Sequence, residues 1–182
     1  MTGPGSGTPA VGAARVVARA TALGLSVCTA ESLTGGLLVA RLVDVPGASA
    51  CVAGGAVCYS YDAKAALLGV DRAMLEADGA VTPATARAMA RGALEAYGAD
   101  LAIATTGVAG PGPDERGVPA GTVVLACAQR RADGAVLDVA VRELRLDGDR
   151  AAVRAGSVEA ALALLEEALG SASSEVGGPE RA

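Results

Sequence analysis

The chain has 182 residues, a length that fits one domain able to bury most of its apolar surface. Its formal net charge is −5 and its sequence pI about 4.8, which excludes a general nucleic-acid binder with a basic face. No apolar run approaches the ~18 residues of a membrane span, and the N-terminus lacks the charged and apolar regions of a signal peptide, so a cytoplasmic protein is expected.

Residues 1–11 are rich in Gly, Pro, Ser and Thr and read as a disordered tail, as does 170–182. The stretch between them, 12–169, has no linker and no repeat and reads as one domain. A helix is predicted over 10–23, with Val16, Ala20 and Leu23 on one face and Gly24 as its stop. Leu25 to Thr29 reads as a short buried strand, after which Ser32 or Thr34 caps a helix running to about Val43. Pro46-Gly47 marks a turn. Residues 51–60 form a second apolar strand, in which Gly54-Gly55 signals a bulge or a close backbone approach. Short helices follow at 62–68 and 71–77. Thr82-Pro83 has the form of an N-cap and first helical residue, opening a helix to about Tyr97. Residues 100–106 make a strand, followed by a Gly/Pro-rich loop to about Gly121. Strands 122–130 and 135–146 form a hairpin turning at Asp133-Gly134. Apolar parity in the second flips between Val141 and Leu144, which predicts a bulge near Arg142–Glu143. A last helix, 149–169, puts Val158, Leu162, Leu165 and Leu169 on one face. The whole is an α/β fold, a three-layer α/β/α sandwich with a mixed, mostly parallel sheet.

Composition narrows the chemistry. The chain has no His, Phe or Trp, so a Ser-His-Asp triad is excluded and no His can complete a zinc site. Cys28, Cys51, Cys58 and Cys127 form no CxxC pair and read as small buried hydrophobes in a reducing compartment. No metal is called for. Of 15 basic residues, only Lys64 is a lysine. Arg cannot exchange a proton near neutral pH, whereas a desolvated Lys can; the competing reading is a solvated lysine kept by chance.

Four stretches can carry function. The first, Thr29 to Gly36, puts Ser32 between a strand end and a helix start, where backbone N–H groups suit an anion or oxyanion. Gly35 and Gly36 would let a ligand approach the backbone; the plainer reading of Ser32 and Thr34 is helix capping. The second, Cys58 to Lys64, holds two of the three Tyr residues beside the sole Lys. A Ser nucleophile needs a base, and a buried Lys64 with a lowered pKa can serve, with Tyr59 relaying a proton or binding substrate. The third, Thr105 to Thr122, ends a strand in hydroxyls and then opens a loop of a kind that forms anion-binding nests; it is neither a P-loop nor GxGxxG. In the fourth, Asp149 reads as an N-cap, and Arg150 and Arg154, four apart, can clamp a phosphate or simply face solvent.

In this order the stretches resemble the CinA C-terminal-domain family, over about residues 12–169. The matching segments are TAESLTGG (29–36), VPGAS (45–49), GGAVCYSYDAK (54–64), LGV (68–70), GAV (79–81), TGVAGPG (106–112), PAGTV (119–123) and GDRAAVR (148–154). The resemblance implies a stand-alone amidohydrolase that converts nicotinamide mononucleotide to nicotinate mononucleotide and ammonia in pyridine-nucleotide salvage, without cofactor. The family's catalytic Ser falls on Ser32, its Tyr and Lys on Tyr59 and Lys64, and its Ser/Thr before the Gly-rich turn on Thr106. Substrate contacts are then expected from Thr34, Gly35, Gly36, Gly107, Gly110, Arg150 and Arg154, with the oxyanion held by amides of Leu33 to Gly36 or of Thr106 and Gly107. Lys64, Tyr59 and Glu31 all remain candidates for the base. Tyr61 departs from the family pattern, which has a small polar residue there, and leaves substrate preference open. The partners implied are the small-molecule substrate and further copies of the chain in a homo-oligomer, with neither nucleic acid nor membrane. A non-catalytic nucleotide-binding module and a competence-associated interaction protein are the competing readings.

Overall fold

The computed structural model describes the backbone of residues 11–176 and the side chains of 12–172. The expected tails therefore lie outside the described residues, except for residue 11 and for 170–176. Five strands form one sheet in the order β2-β1-β3-β4-β5. β1 (Val27–Glu31) pairs in parallel with β2 (Val52–Val57) and β3 (Leu101–Gly107). β4 (Thr122–Arg130) runs antiparallel to β3 and to β5 (Val136–Arg145), so it alone opposes the other four strands. Three helices cover one face: α1 (Val11–Leu23), α2 (Leu37–Val43) and α6 (Arg150–Val176). The other three, α3 (Tyr61–Leu68), α4 (Arg72–Asp78) and α5 (Pro83–Tyr97), cover the opposite face. The α/β/α sandwich is the architecture that the alternation of elements predicts.

Strand alternation sorts the side chains into two cores. Val27, Leu101, Ile103, Val123 and Leu125 point to the first, where Leu162, Leu165 and Leu169 of α6 meet them. Ala30, Ala102, Ala104, Ala126 and Ala128 point to the second, against Ala86, Met89, Ala90 and Ala93 of α5. Two alanine-rich surfaces fill space only by close approach. Gly92 shows how close: a Cβ there would lie 2.0 Å from the carbonyl oxygen of Leu68, at the end of α3. Packing of this kind explains how a chain without Phe or Trp builds a dense interior.

Several boundaries differ from the periodicity. β1 starts two residues later than expected and runs on to Glu31, because the polar groups of Thr29 and Glu31 find partners inside the protein rather than ending the strand. β2 bulges at Ala53, since Val27 faces Val52 while Cys28 faces Gly54. The expected close approach is met at Gly55, where a Cβ would fall 2.3 Å from Thr29 Oγ1. In β5 the bulge is not at Arg142–Glu143, which pair regularly with Leu125 and Val124; it is at Val139, where Cys127 faces Ala140 and Ala128 faces Asp138. That extra residue keeps Asp138 on the α5 side, where Arg91 grips it through two hydrogen bonds of 2.8 and 3.0 Å. Val141 and Leu144 then fall on opposite faces by ordinary alternation. α6 continues through Gly170 to Val176, past the stop that composition suggests, with Ala172 still buried. Thr82 caps α5 by accepting from Thr85 N, with Pro83 as first residue, as its sequence dictates.

Gly92 sets propensity against packing. In an exposed helix Gly→Ala gains about 0.5–1 kcal/mol. Here the added methyl would strike backbone, so Gly92→Ala is expected to destabilise by about 1–3 kcal/mol, read as a lower midpoint in urea unfolding with an unchanged slope.

Candidate functional site

The two parallel neighbours of β1 leave it on opposite sides, β2 next in the chain and β3 later. In open α/β sheets the crevice at such a switch point, beyond the carboxyl ends of the strands, is where ligands bind. A cleft of about 250 Å³ opens there, lined by Ser32, Tyr59, Lys64, Ala80, Val81, residues 106–114 and Arg150.

Ser32 follows β1 directly. Its N–H donates to Thr105 O at 2.9 Å, and Cys58 N donates to Glu31 O at 2.7 Å, so the sheet ladder continues on both sides up to the serine. The turn after Ser32 is held from beneath by Glu31. This fully buried carboxylate accepts from Gly36 N (2.9 Å), Leu38 N (3.0 Å), Val39 N (2.8 Å) and Thr29 Oγ1 (3.0 Å). It thereby satisfies the free N–H groups at the start of α2, where a negative charge is also favoured. Neither Ser32 nor Thr34 caps that helix: Gly36 is the N-cap residue, with φ +92° and no side-chain bond. Thr34 instead shares a 2.7 Å hydrogen bond with Thr105 Oγ1. Both hydroxyls are thus released from the capping role that local spacing assigns them.

Lys64 lies in the first turn of α3, whose N-cap Ser60 accepts from Ala63 N. Its side chain is completely buried. Nζ donates to Ser32 Oγ at 3.0 Å, Cys58 O at 2.8 Å and Tyr59 O at 3.3 Å. Loss of hydration lowers its pKa from the ordinary lysine value to about 8. The reading of Lys64 as a solvated lysine is therefore excluded. As an ammonium it spends all three protons on these oxygens. As a neutral amine it has two protons and one lone pair. The two carbonyls can only accept, so the lone pair faces the Ser32 hydroxyl. This pair can therefore take a proton from the serine without an imidazole.

The remaining wall comes from the end of β3 and the loop after it. Thr106 is buried at the cleft and donates to Ala80 O at 2.7 Å. Gly107 and Gly110 line the cleft as the sequence suggests. Arg150 reaches in from the start of α6, which Asp149 caps through Ala152 N. Its guanidinium donates to Gly110 O at 2.8 Å and to Tyr59 OH at 3.1 Å, and forms no ion pair among the described residues, so its charge stays available to an anion. Tyr59, 62% exposed, forms the rim. Its phenol oxygen accepts from Arg150, and among the described residues neither Ser32 nor Lys64 bonds it.

Four expected contact residues do not line this cleft. Gly35 N donates to Ser32 O and Gly36 N to Glu31, which removes both amides from the set of oxyanion donors. Thr34 is turned toward Thr105, and Arg154 bonds backbone carbonyls of the serine turn. Glu31, a candidate base on sequence, is committed to α2. Tyr61 lies in a neighbouring open groove, where Arg72 sits over its ring, so it does not narrow the space around Ser32. Ala80, Val81 and residues 111–114 also line the cleft; the sequence places them in a family segment or in the Gly/Pro-rich loop without assigning them a contact, because no local pattern shows which loop residues fold back onto a site. Burial pushes the thiols of Cys28 and Cys127 up to about 12, consistent with inert core positions.

Comparison with known proteins gives a coherent result. The model of the CinA C-terminal domain matches residues 11–169. A CinA-like protein of Mycobacterium sp. (strain MCS) is 51% identical over 146 residues, 80% of this chain and 34% of that protein; the chain thus spans about a third of the length of such curated relatives. The crystal structure of the competence/damage-inducible protein CihA from Agrobacterium tumefaciens is similar at TM-score 0.80 and 42% identity, covering 93% of this chain and 99% of that one. A CinA superfamily protein from Klebsiella pneumoniae is similar at TM-score 0.81 and 38% identity, covering 87% and 96%.

The role given to Glu31 is open to test. Glu31→Gln replaces one acceptor oxygen with an amide that faces N–H donors. A loss of about 2–3 kcal/mol is expected, measured by denaturant unfolding.

Proposed function

The chain belongs to the CinA C-terminal domain family, and we propose that it is an amidohydrolase that deamidates nicotinamide mononucleotide, with Ser32 as nucleophile and Lys64 as its base. The observation that carries the reading is the contact of a buried, partly neutral amine with the serine hydroxyl, 3.0 Å apart, in a cleft that also holds an arginine with no ion pair among the described residues.

In this reading the neutral Lys64 takes the Ser32 proton as Oγ attacks the carboxamide carbon. Negative charge moves onto the carboxamide oxygen, where amides of the serine turn stabilise it; losing one such donor typically costs about 2.7–4 kcal/mol of barrier. The tetrahedral species collapses, the C–N bond breaks, and the Lys64 ammonium returns its proton to the leaving nitrogen, releasing ammonia. An ester on Ser32 remains. Water, deprotonated by the same amine, cleaves it to the carboxylate and restores the serine. One base serves both half-reactions because its pKa near 8 lets it accept and return a proton close to neutral pH. Arg150, poised between Tyr59 and the loop, is the group for the substrate's phosphate, and the Tyr59 ring offers an apolar wall. These features support the reading because each supplies something that the reaction requires.

The test is ammonia release from nicotinamide mononucleotide. Wild-type protein should release it, and Ser32→Ala and Lys64→Met should lose about 10⁴-fold in kcat or more. Tight binding of the mononucleotide without release would instead identify a binding module. The pH profile is a second test. The active amine is the deprotonated form, so kcat/KM should rise with pH and level off above about 8. A flat profile between pH 6 and 9 would remove Lys64 as the base.

A further inference from the structure

We infer that Arg154 is a positioning residue for the nucleophile's turn and not a phosphate ligand; the inference rests on Ser32 being the nucleophile. Arg154 and Arg150 share one face of α6, one turn apart, but the structure sends them to different targets. Arg150 lines the cleft. Arg154, half-buried, bonds Leu33 O through Nε at 3.0 Å and Thr34 O through Nη2 at 2.8 Å. These are the carbonyls of the two residues that follow Ser32.

A peptide group is planar and trans, so its C=O and the next residue's N–H point in opposite directions. Holding Leu33 O therefore fixes the Thr34 N–H on the far side of the turn from Arg154. Holding Thr34 O likewise fixes the Gly35 N–H, which meets Ser32 O at 3.1 Å. With the Gly36 amide on Glu31, Leu33 and Thr34 are the residues of the turn whose amides have no hydrogen-bond partner among the described residues, and the oxyanion is assigned to them although their side chains do not line the cleft. One guanidinium fork thus sets the direction of the Thr34 amide. Its charge also polarises both peptide groups, which makes their N–H groups stronger donors. Glu31 below and Arg154 beside the turn hold it from opposite charges: the carboxylate takes N–H groups and the guanidinium takes carbonyls. Only a planar fork with parallel donors can hold adjacent carbonyls in this way.

The phosphate reading and the positioning reading predict different kinetics. A lost phosphate ligand raises KM. A lost positioning group lowers kcat and leaves KM nearly unchanged. Arg154→Ala should lose about 100-fold in kcat for the mononucleotide with less than about threefold change in KM, a loss comparable to that of one oxyanion donor. Guanidinium ion at low millimolar concentration should restore part of the lost rate, while Arg154→Lys, which has no fork, should recover little. Circular dichroism and the unfolding midpoint check that the variant is folded. The rate at which a fluorophosphonate labels Ser32 reads the same turn without the amide substrate, and it should fall in parallel. A KM increase with kcat intact, or labelling at the wild-type rate, would overturn the inference. Wild-type protein that is labelled at Ser32 but releases no ammonia, with slower labelling in Arg154→Ala, would sink the mononucleotide reading and keep the role of Arg154.

Discussion

An ammonium group gives up its hydration when it is buried, and the loss is tolerable only if other groups take its protons. Lys64 meets that condition with two backbone carbonyls and one serine hydroxyl. The carbonyls belong to Cys58 and Tyr59, just past β2, and the hydroxyl belongs to the residue after β1. The amine is thus tied to the ends of two adjacent parallel strands. Its burial, its lowered pKa and its aim at Ser32 are one fact seen three ways, and each depends on the sheet register that brings those strand ends together.

The turn that presents Ser32 is supported in a matching manner. Strand pairing carries the backbone up to the serine, and Glu31 then anchors the start of α2 with three amide bonds. A short helix of seven residues gains little from propensity; here tertiary contacts and a buried carboxylate supply what the local sequence does not. The tight alanine-rich packing of α5 on the sheet has a related consequence. It holds α3, and so Lys64, at a fixed depth, because the end of α3 rests on Gly92 with no room for a methyl group. The core and the site are therefore coupled through backbone approach and not through large side chains.

Much of the fold is legible in the residues. Thr82-Pro83 is a cap and first turn in any context, and the apolar face of α6 needs only its own periodicity. The strand-end position of Ser32 and the singular Lys64 are likewise visible without coordinates. Other features mislead because they answer to distant partners. Ser32 and Thr34 have the spacing of helix caps, but Glu31, reaching forward, takes the amides they would have served. The bulge in β5 sits at Val139 because Asp138 must face Arg91, and no local pattern carries that pairing. Arg150 and Arg154 show identical helical spacing, and only the approach of two different loops to α6 separates their tasks.

The sequence by itself determined the element order, the two-sided burial of the central strands, and the chemistry on offer: a serine, one amine, no imidazole, and arginine as almost the only cation. Those properties follow from composition and short-range periodicity, which act over a few residues. The tertiary structure alone decided that the amine loses its water, that its lone pair is aimed at one hydroxyl, and that one carboxylate becomes an anchor and not a base. Desolvation and hydrogen-bond direction depend on which atoms arrive from other parts of the chain. Lys64 and Ser32 are 32 residues apart, and only strand pairing and helix packing set the distance between them.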